Sequence, residues 1–161
     1  MKGEIQVLIA FIKRQETTME GIFREIEQRI ALLDTSPEVL IFVAYYLHNL
    51  YCSLEDIFKE VSRVFENTID EPEKWHRELL LKMTLEVEGI RPRLISEESF
   101  VILDELRGFR HFFRHAYSVP MDGERVKQLV DKTMKLRESI KDDTKNFINQ
   151  LKAEIERNSS E

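Results

Sequence analysis

The chain has 161 residues, a formal net charge of −6, five glycines, four prolines and a single cysteine. That length predicts one domain, and a glycine-plus-proline share about half the usual one favours long helices over a β-sandwich. Hydrophobic residues make up 42%, enough for a core and too many for a disordered chain. The lone Cys52 excludes an internal disulfide and any multi-cysteine zinc site, and its apolar surroundings predict a buried thiol. The apolar stretch after Met1 is short and contains Gln6. Neither a signal peptide nor a membrane span is read there, so the expected compartment is the cytoplasm. An acidic chain repels phosphate as a whole, so any nucleic acid must meet a local basic patch.

The first predicted helix runs from Glu4 to about Leu33, with Ile5, Leu8, Ile9, Ile12, Met19, Ile22, Phe23, Ile26 and Ile30 mostly three or four residues apart. Asp34-Thr35-Ser36-Pro37 breaks it, with Ser36 as N-cap and Pro37 as first helical residue of the next. The second helix spans Glu38 to Glu66. Its first half, from Val39 to Cys52, is apolar nearly all round, so it is buried on most sides or against a partner chain. Tyr45, Tyr46 and Tyr51 belong to that core or interface. Asn67 to Pro72 is a connector. Trp75, a packing anchor, opens a third helix to about Glu88, with Leu79, Leu80, Met83 and Val87 inward.

Gly89 to Arg93 ends that helix. Ser96-Glu97-Glu98-Ser99 then starts a fourth, with acidic residues in the first turn where the helix dipole favours them. It runs into Phe109–Tyr117 and stops at Ser118–Gly123. The last helix spans Glu124 to about Arg157, with Val126, Leu129, Val130, Thr133, Leu136, Ile140, Phe147, Ile148 and Leu151 on one side. The expectation is all-α: an up-and-down bundle of four main helices plus one short helix, a single domain over 1–157, and a frayed tail over 158–161.

The segment Leu106–Tyr117 breaks the pattern of the chain. It holds three arginines, two of the four histidines and no acid. On a helix, Ile102, Leu106, Phe109 and Phe113 form one inward stripe, while Arg107, Arg110 and Arg114 gather on the opposite flank with His111 beyond them. A solvated basic face is the ordinary outcome of such a run. The scarcity of carboxylates and the mixture of Arg, His and Tyr favour phosphate contact and proton transfer instead.

Arg110-His-Phe-Phe-Arg-His115-Ala-Tyr117 fits the pattern R-x-x-x-x-H-x-Y, near the end of the penultimate helix. In this it resembles the HEPN superfamily, and within it the HepT ribonuclease toxins encoded beside a minimal nucleotidyltransferase antitoxin. The resemblance implies metal-independent cleavage of tRNA or another cellular RNA by a homodimer. It makes Arg110 and His115 catalytic and Tyr117 the acceptor of AMP groups from the antitoxin, with no cofactor. Arg107, Arg114 and His111 would then bind RNA phosphates. A further polar residue from an earlier helix is expected, and His48, Asn49 and Glu55 are the candidates.

The residue types suit that chemistry. RNA carries its own nucleophile, the 2′-OH. Histidine can act as acid or base near neutrality, and arginine offers a planar fork to phosphoryl oxygens. On an ideal helix Arg110 and His115 point about 140° apart. Either the helix ends between them, or the site draws residues from two protomers.

Other signals are weaker. Glu73-x-x-His76 has the spacing of bundle di-iron sites but no second copy. His111 and His115 could share a metal face, yet lack a third ligand and are flanked by arginines. No metal is expected. The rival function is a non-catalytic helical module holding a nucleotide or a protein partner through the Arg/His face.

Overall fold

A computed structural model of the protein describes residues 2–66, 76–115 and 120–157. Among these it contains five helices: α1 (Lys2–Glu27), α2 (Pro37–Phe65), α3 (His76–Lys82), α4 (Glu97–His115) and α5 (Gly123–Arg157). A short 3-10 turn, Ile30–Leu32, follows α1, and the described residues form no strand beyond one isolated bridge between Val87 and Arg91. No helix among them is long and apolar enough to cross a membrane. The expected connector Asn67–Pro72, Trp75, Tyr117 and the tail 158–161 fall outside the described residues.

The helical period puts one apolar stripe of each long helix into a shared core. Leu8, Ile12 and Ile26 of α1 meet Leu47, Leu50, Leu54 and Ile57 of α2, Leu103 and Leu106 of α4, and Val130, Leu136, Phe147 and Leu151 of α5. α1 packs on α2 and α5, and α4 on α2 and α5. Side-chain contacts give the directions. Gln15 meets Ser53 while Glu25 meets Tyr46, so α1 and α2 run antiparallel. His48 faces Phe113 while Glu55 faces Arg110, so α2 and α4 do too.

The helix ends have local causes. Pro37 opens α2 as expected, but the Ser36 hydroxyl donates to the Glu38 carboxylate and not to a capping contact. Ser96 accepts from the Ser99 backbone N–H at the start of α4, and Asp143 of α5 accepts from both serine hydroxyls. Asp122 Oδ1 accepts from the Glu124 N–H at 3.0 Å and caps α5.

Two sequence expectations are corrected. The first helix does not run regularly to Leu33: it ends at Glu27 and tightens into the 3-10 turn, leaving Ile30 exposed. The third does not reach Glu88. It stops at Lys82, and Val87 pairs with Arg91 across a turn in which Gly89 takes φ +73°, a conformation that favours glycine. The almost fully buried Arg91 holds this arrangement. Its guanidinium donates to the Lys82 and Leu85 carbonyls and pairs with Glu66 at 2.7 Å.

The first half of α2 is not covered on all sides. Val43, Ala44, Leu47, Leu50 and Tyr51 are buried and Tyr46 half-buried, but Ile41, Phe42 and Tyr45 are 56%, 47% and 50% exposed. They form an outward strip, with the Arg29 guanidinium lying 4.9 Å over the Phe42 ring. Cys52 is half-buried, less enclosed than its neighbours suggested.

Candidate active site

Burial of Ile102, Leu106 and Phe109 fixes the rotation of α4 about its axis; Phe113 is half-buried against the same core. With those side chains inward, Arg110 turns toward α2. Its side chain is only 14% exposed, and Nη2 lies 3.2 Å from Glu55 Oε2. The guanidinium carbon sits 5.9 Å from the centre of the Tyr51 ring.

Glu55 is the centre of this cluster. Its side chain is 2% exposed, and a buried carboxylate is costly unless paired. Among the described residues, three groups from three helices answer it: Arg110 of α4, Lys59 of α2 at 3.7 Å, and Nδ1 of His76 of α3. Of the three candidate polar residues on α2, Glu55 is the one that meets Arg110. His48 lies about two turns before Glu55 on α2, further along the seam. Its ring is 5.2 Å from that of Phe113, and Nε2 is 3.6 Å from Cys52 Sγ. Burial, then the charges of Arg110 and Arg114, push its pKa below the ordinary imidazole value. Asn49 is half-buried and, among the described residues, makes no side-chain hydrogen bond.

Burial, then the charge of Glu55, raises the Tyr51 phenol above its ordinary value. Among the described residues, Tyr51 Oη, His48 Nδ1 and Arg110 Nε are buried without a hydrogen-bond partner, and all three lie along this α2–α4 seam. Buried polar groups are normally paired, so their gathering here is unusual.

The other half of the motif differs. α4 continues unbroken to His115, so the helix does not end between Arg110 and His115. His115 is exposed and its ring centre lies 4.7 Å from that of the equally exposed His111. Arg114 is exposed and, among the described residues, has no carboxylate partner. Arg107 is not the free cation that the acid-free segment suggested. Its Nε lies 2.8 Å from Asp104 Oδ1, and Asp104 also faces Arg77 of α3 at 3.7 Å. The carboxylates that the linear segment lacked arrive from the preceding turn and from another helix.

Tyr117 lies outside the described residues, as does Glu73, so neither the AMP acceptor nor the Glu73–His76 pair is placed. Among the described residues no group of three His, Cys, Asp or Glu could hold a metal ion. A cleft between α1 and α5, lined by Lys13, Glu20, Arg137 and Lys145 among others, carries none of the motif residues.

A family model described as HepT-like protein matches residues 42–151, well over half of the chain and the whole α2–α4 seam. The chain therefore belongs to the HepT-like family of HEPN proteins. Members of this family are generally ribonucleases of toxin–antitoxin pairs. No curated protein and no solved structure matches the chain.

Proposed function

We propose that this protein is a metal-independent endoribonuclease toxin of the cytoplasm, cutting tRNA or another cellular RNA in the cleft of a homodimer. The observation that carries this reading is the divergence of the two motif residues. Arg110 turns inward to Glu55 while His115, on the same unbroken helix, stays exposed. One chain does not aim both at one phosphate, whereas two chains meeting across α4 do, with Arg110 of one and His115 of the other at a shared phosphodiester. The exposed strip Ile41–Phe42–Tyr45 supplies apolar surface for that meeting.

The chemistry then assigns itself. The substrate 2′-OH attacks phosphorus and loses its proton to a base. The 5′-oxygen leaves with a proton from an acid, and His115 serves as one of these. Arg110 stabilises the phosphoryl oxygens. Glu55 engages one of its five N–H donors at hydrogen-bonding range and leaves others for the substrate. Arg114, with no carboxylate partner among the described residues, holds flanking phosphate together with Arg107 and His111.

Control falls to Tyr117. AMP transferred there by a cognate nucleotidyltransferase antitoxin would add bulk and negative charge beside His115, two residues away, and would compete for Arg114. Tyr117→Phe is expected to keep cleavage and escape silencing by the antitoxin with ATP. Normal silencing of that variant would remove the switch.

The test of the activity is cleavage of total RNA by purified wild type, Arg110→Ala and His115→Ala in EDTA-treated buffer. Wild type should cut, both variants should not, and Arg110→Lys should recover little because lysine lacks the planar fork. Full activity of His115→Ala would overturn the mechanism. Wild type that binds RNA without cutting it would favour a non-catalytic binding module.

A further inference from the structure

α3 touches the basic flank of α4 through two carboxylates. Asp104 of α4 holds Arg107 on one side and faces Arg77 of α3 on the other. Glu55 of α2 holds Arg110 through Oε2 and His76 of α3 through Oε1. The placement of α3 is itself firm. Leu79 and Leu80 are buried in the core, and Arg91 ties the carbonyl of Lys82, its last residue, to Glu66, the residue that follows α2.

A carboxylate has two oxygens and one soft torsion. With Oε1 tied to His76 the plane of Glu55 is set, and Oε2 faces Arg110. Lys59 lies 3.7 Å from the same Oε2 and 3.6 Å from Asp56, so it is an alternative partner once that plane turns. Among the described residues, His76 engages Oε1 while Arg110 and Lys59 lie at Oε2.

We propose that His76 is a positioning residue for Arg110, acting through Glu55, so that the short helix α3 presets the guanidinium of the catalytic site. This rests on the reading of Arg110 as the phosphoryl-binding group. His76 does not touch the substrate; it holds the carboxylate that holds the arginine.

The experiment follows the side-chain Nε–H resonance of Arg110 in isotope-labelled full-length protein, alongside RNA cleavage kinetics. His76→Ala should shift that resonance and lower kcat by about ten- to a hundredfold, the scale of a misplaced reacting group, with KM little changed. Imidazole added to the buffer should restore part of the rate. His76→Gln, whose amide donates to the same oxygen, should stay near wild type, while His76→Leu, of similar size without a donor, should behave as His76→Ala. This second pair keeps the test decisive if His76→Ala does not fold. An unchanged Arg110 resonance in His76→Ala, or equal resonances and rates in His76→Gln and His76→Leu, overturns the proposal. Arg110→Ala that cleaves at the wild-type rate would instead fail the reading of Arg110, and the Arg110 resonance in the His76 variants would still decide whether His76 positions it.

Discussion

The two ends of the Arg110–His115 motif sit in opposite environments. Arg110 is sunk between α2 and α4, clamped by a buried carboxylate and flanked by the Tyr51 ring. His115, little more than one turn later, is exposed beside His111 at the last turn of α4. A phosphoryl-binding group gains from a fixed position, because donors already in place need no reorganisation at the moment of reaction. A proton-transfer group gains from access to the substrate and from a partly solvated imidazole. One helix provides both environments by letting its apolar stripe end at Phe113, so burial fades along its length.

That contrast has consequences for stability and activity that should separate. Glu55→Ala is expected to cost about 3–5 kcal/mol in urea unfolding, since it strands Arg110 without its buried counter-charge and removes the partner of His76, and to abolish cleavage as well. His115→Ala should abolish cleavage yet unfold within about 0.5 kcal/mol of wild type. Equal stability of the two variants would break the comparison.

The exposed strip offers the next largest effect. Ile41→Ser with Tyr45→Ser should weaken self-association by at least about tenfold, measured by the concentration dependence of the mass in light scattering, with little change in monomer folding. Scattering that finds the wild type monomeric at micromolar concentration would remove the two-chain site.

Acid sharpens the comparison from the buried side. The folded-state pKa of His48 is depressed, chiefly by burial, so the unfolded chain binds its proton first as pH falls. Its contribution is neutral above the unfolded imidazole value of about 6.5 and turns destabilising below it. Stability should therefore drop between neutral and mildly acidic pH, and His48→Phe should flatten that slope. The smallest effect belongs to Arg107→Ala. Its partly exposed pair with Asp104 is expected to be worth less than about 1 kcal/mol in thermal unfolding.

Much of the scaffold was legible from periodicity. Every inward position read on α5, from Val126 to Leu151, is buried, because a long helix repeats its pattern often enough to average out exceptions. Periodicity makes α3 too long because Met83 and Val87 continue its spacing, while the buried Arg91 that ends it acts from a distance in sequence. Arg110 and His115 stood out by residue type. The partners of the basic flank did not. Asp104 and His76 matter only once α3 and α4 are side by side, and in the sequence His76 stands out only through its spacing from Glu73. Glu55 carried a faint signal: it is a carboxylate on the apolar stripe of Tyr51, Leu54 and Phe58, where only a paired charge is stable.

The most direct test of the account is the chemistry of the cut. After the cleavage position on a substrate RNA has been mapped with EDTA present, the product ends are read by mass spectrometry, and the substrate is remade with a single 2′-deoxy nucleotide 5′ to that position. The account predicts a 2′,3′-cyclic phosphate beside a 5′-hydroxyl on the natural RNA and no cleavage of the deoxy substrate by wild type. Cleavage of the deoxy substrate, or a 5′-phosphate at the cut, would contradict it.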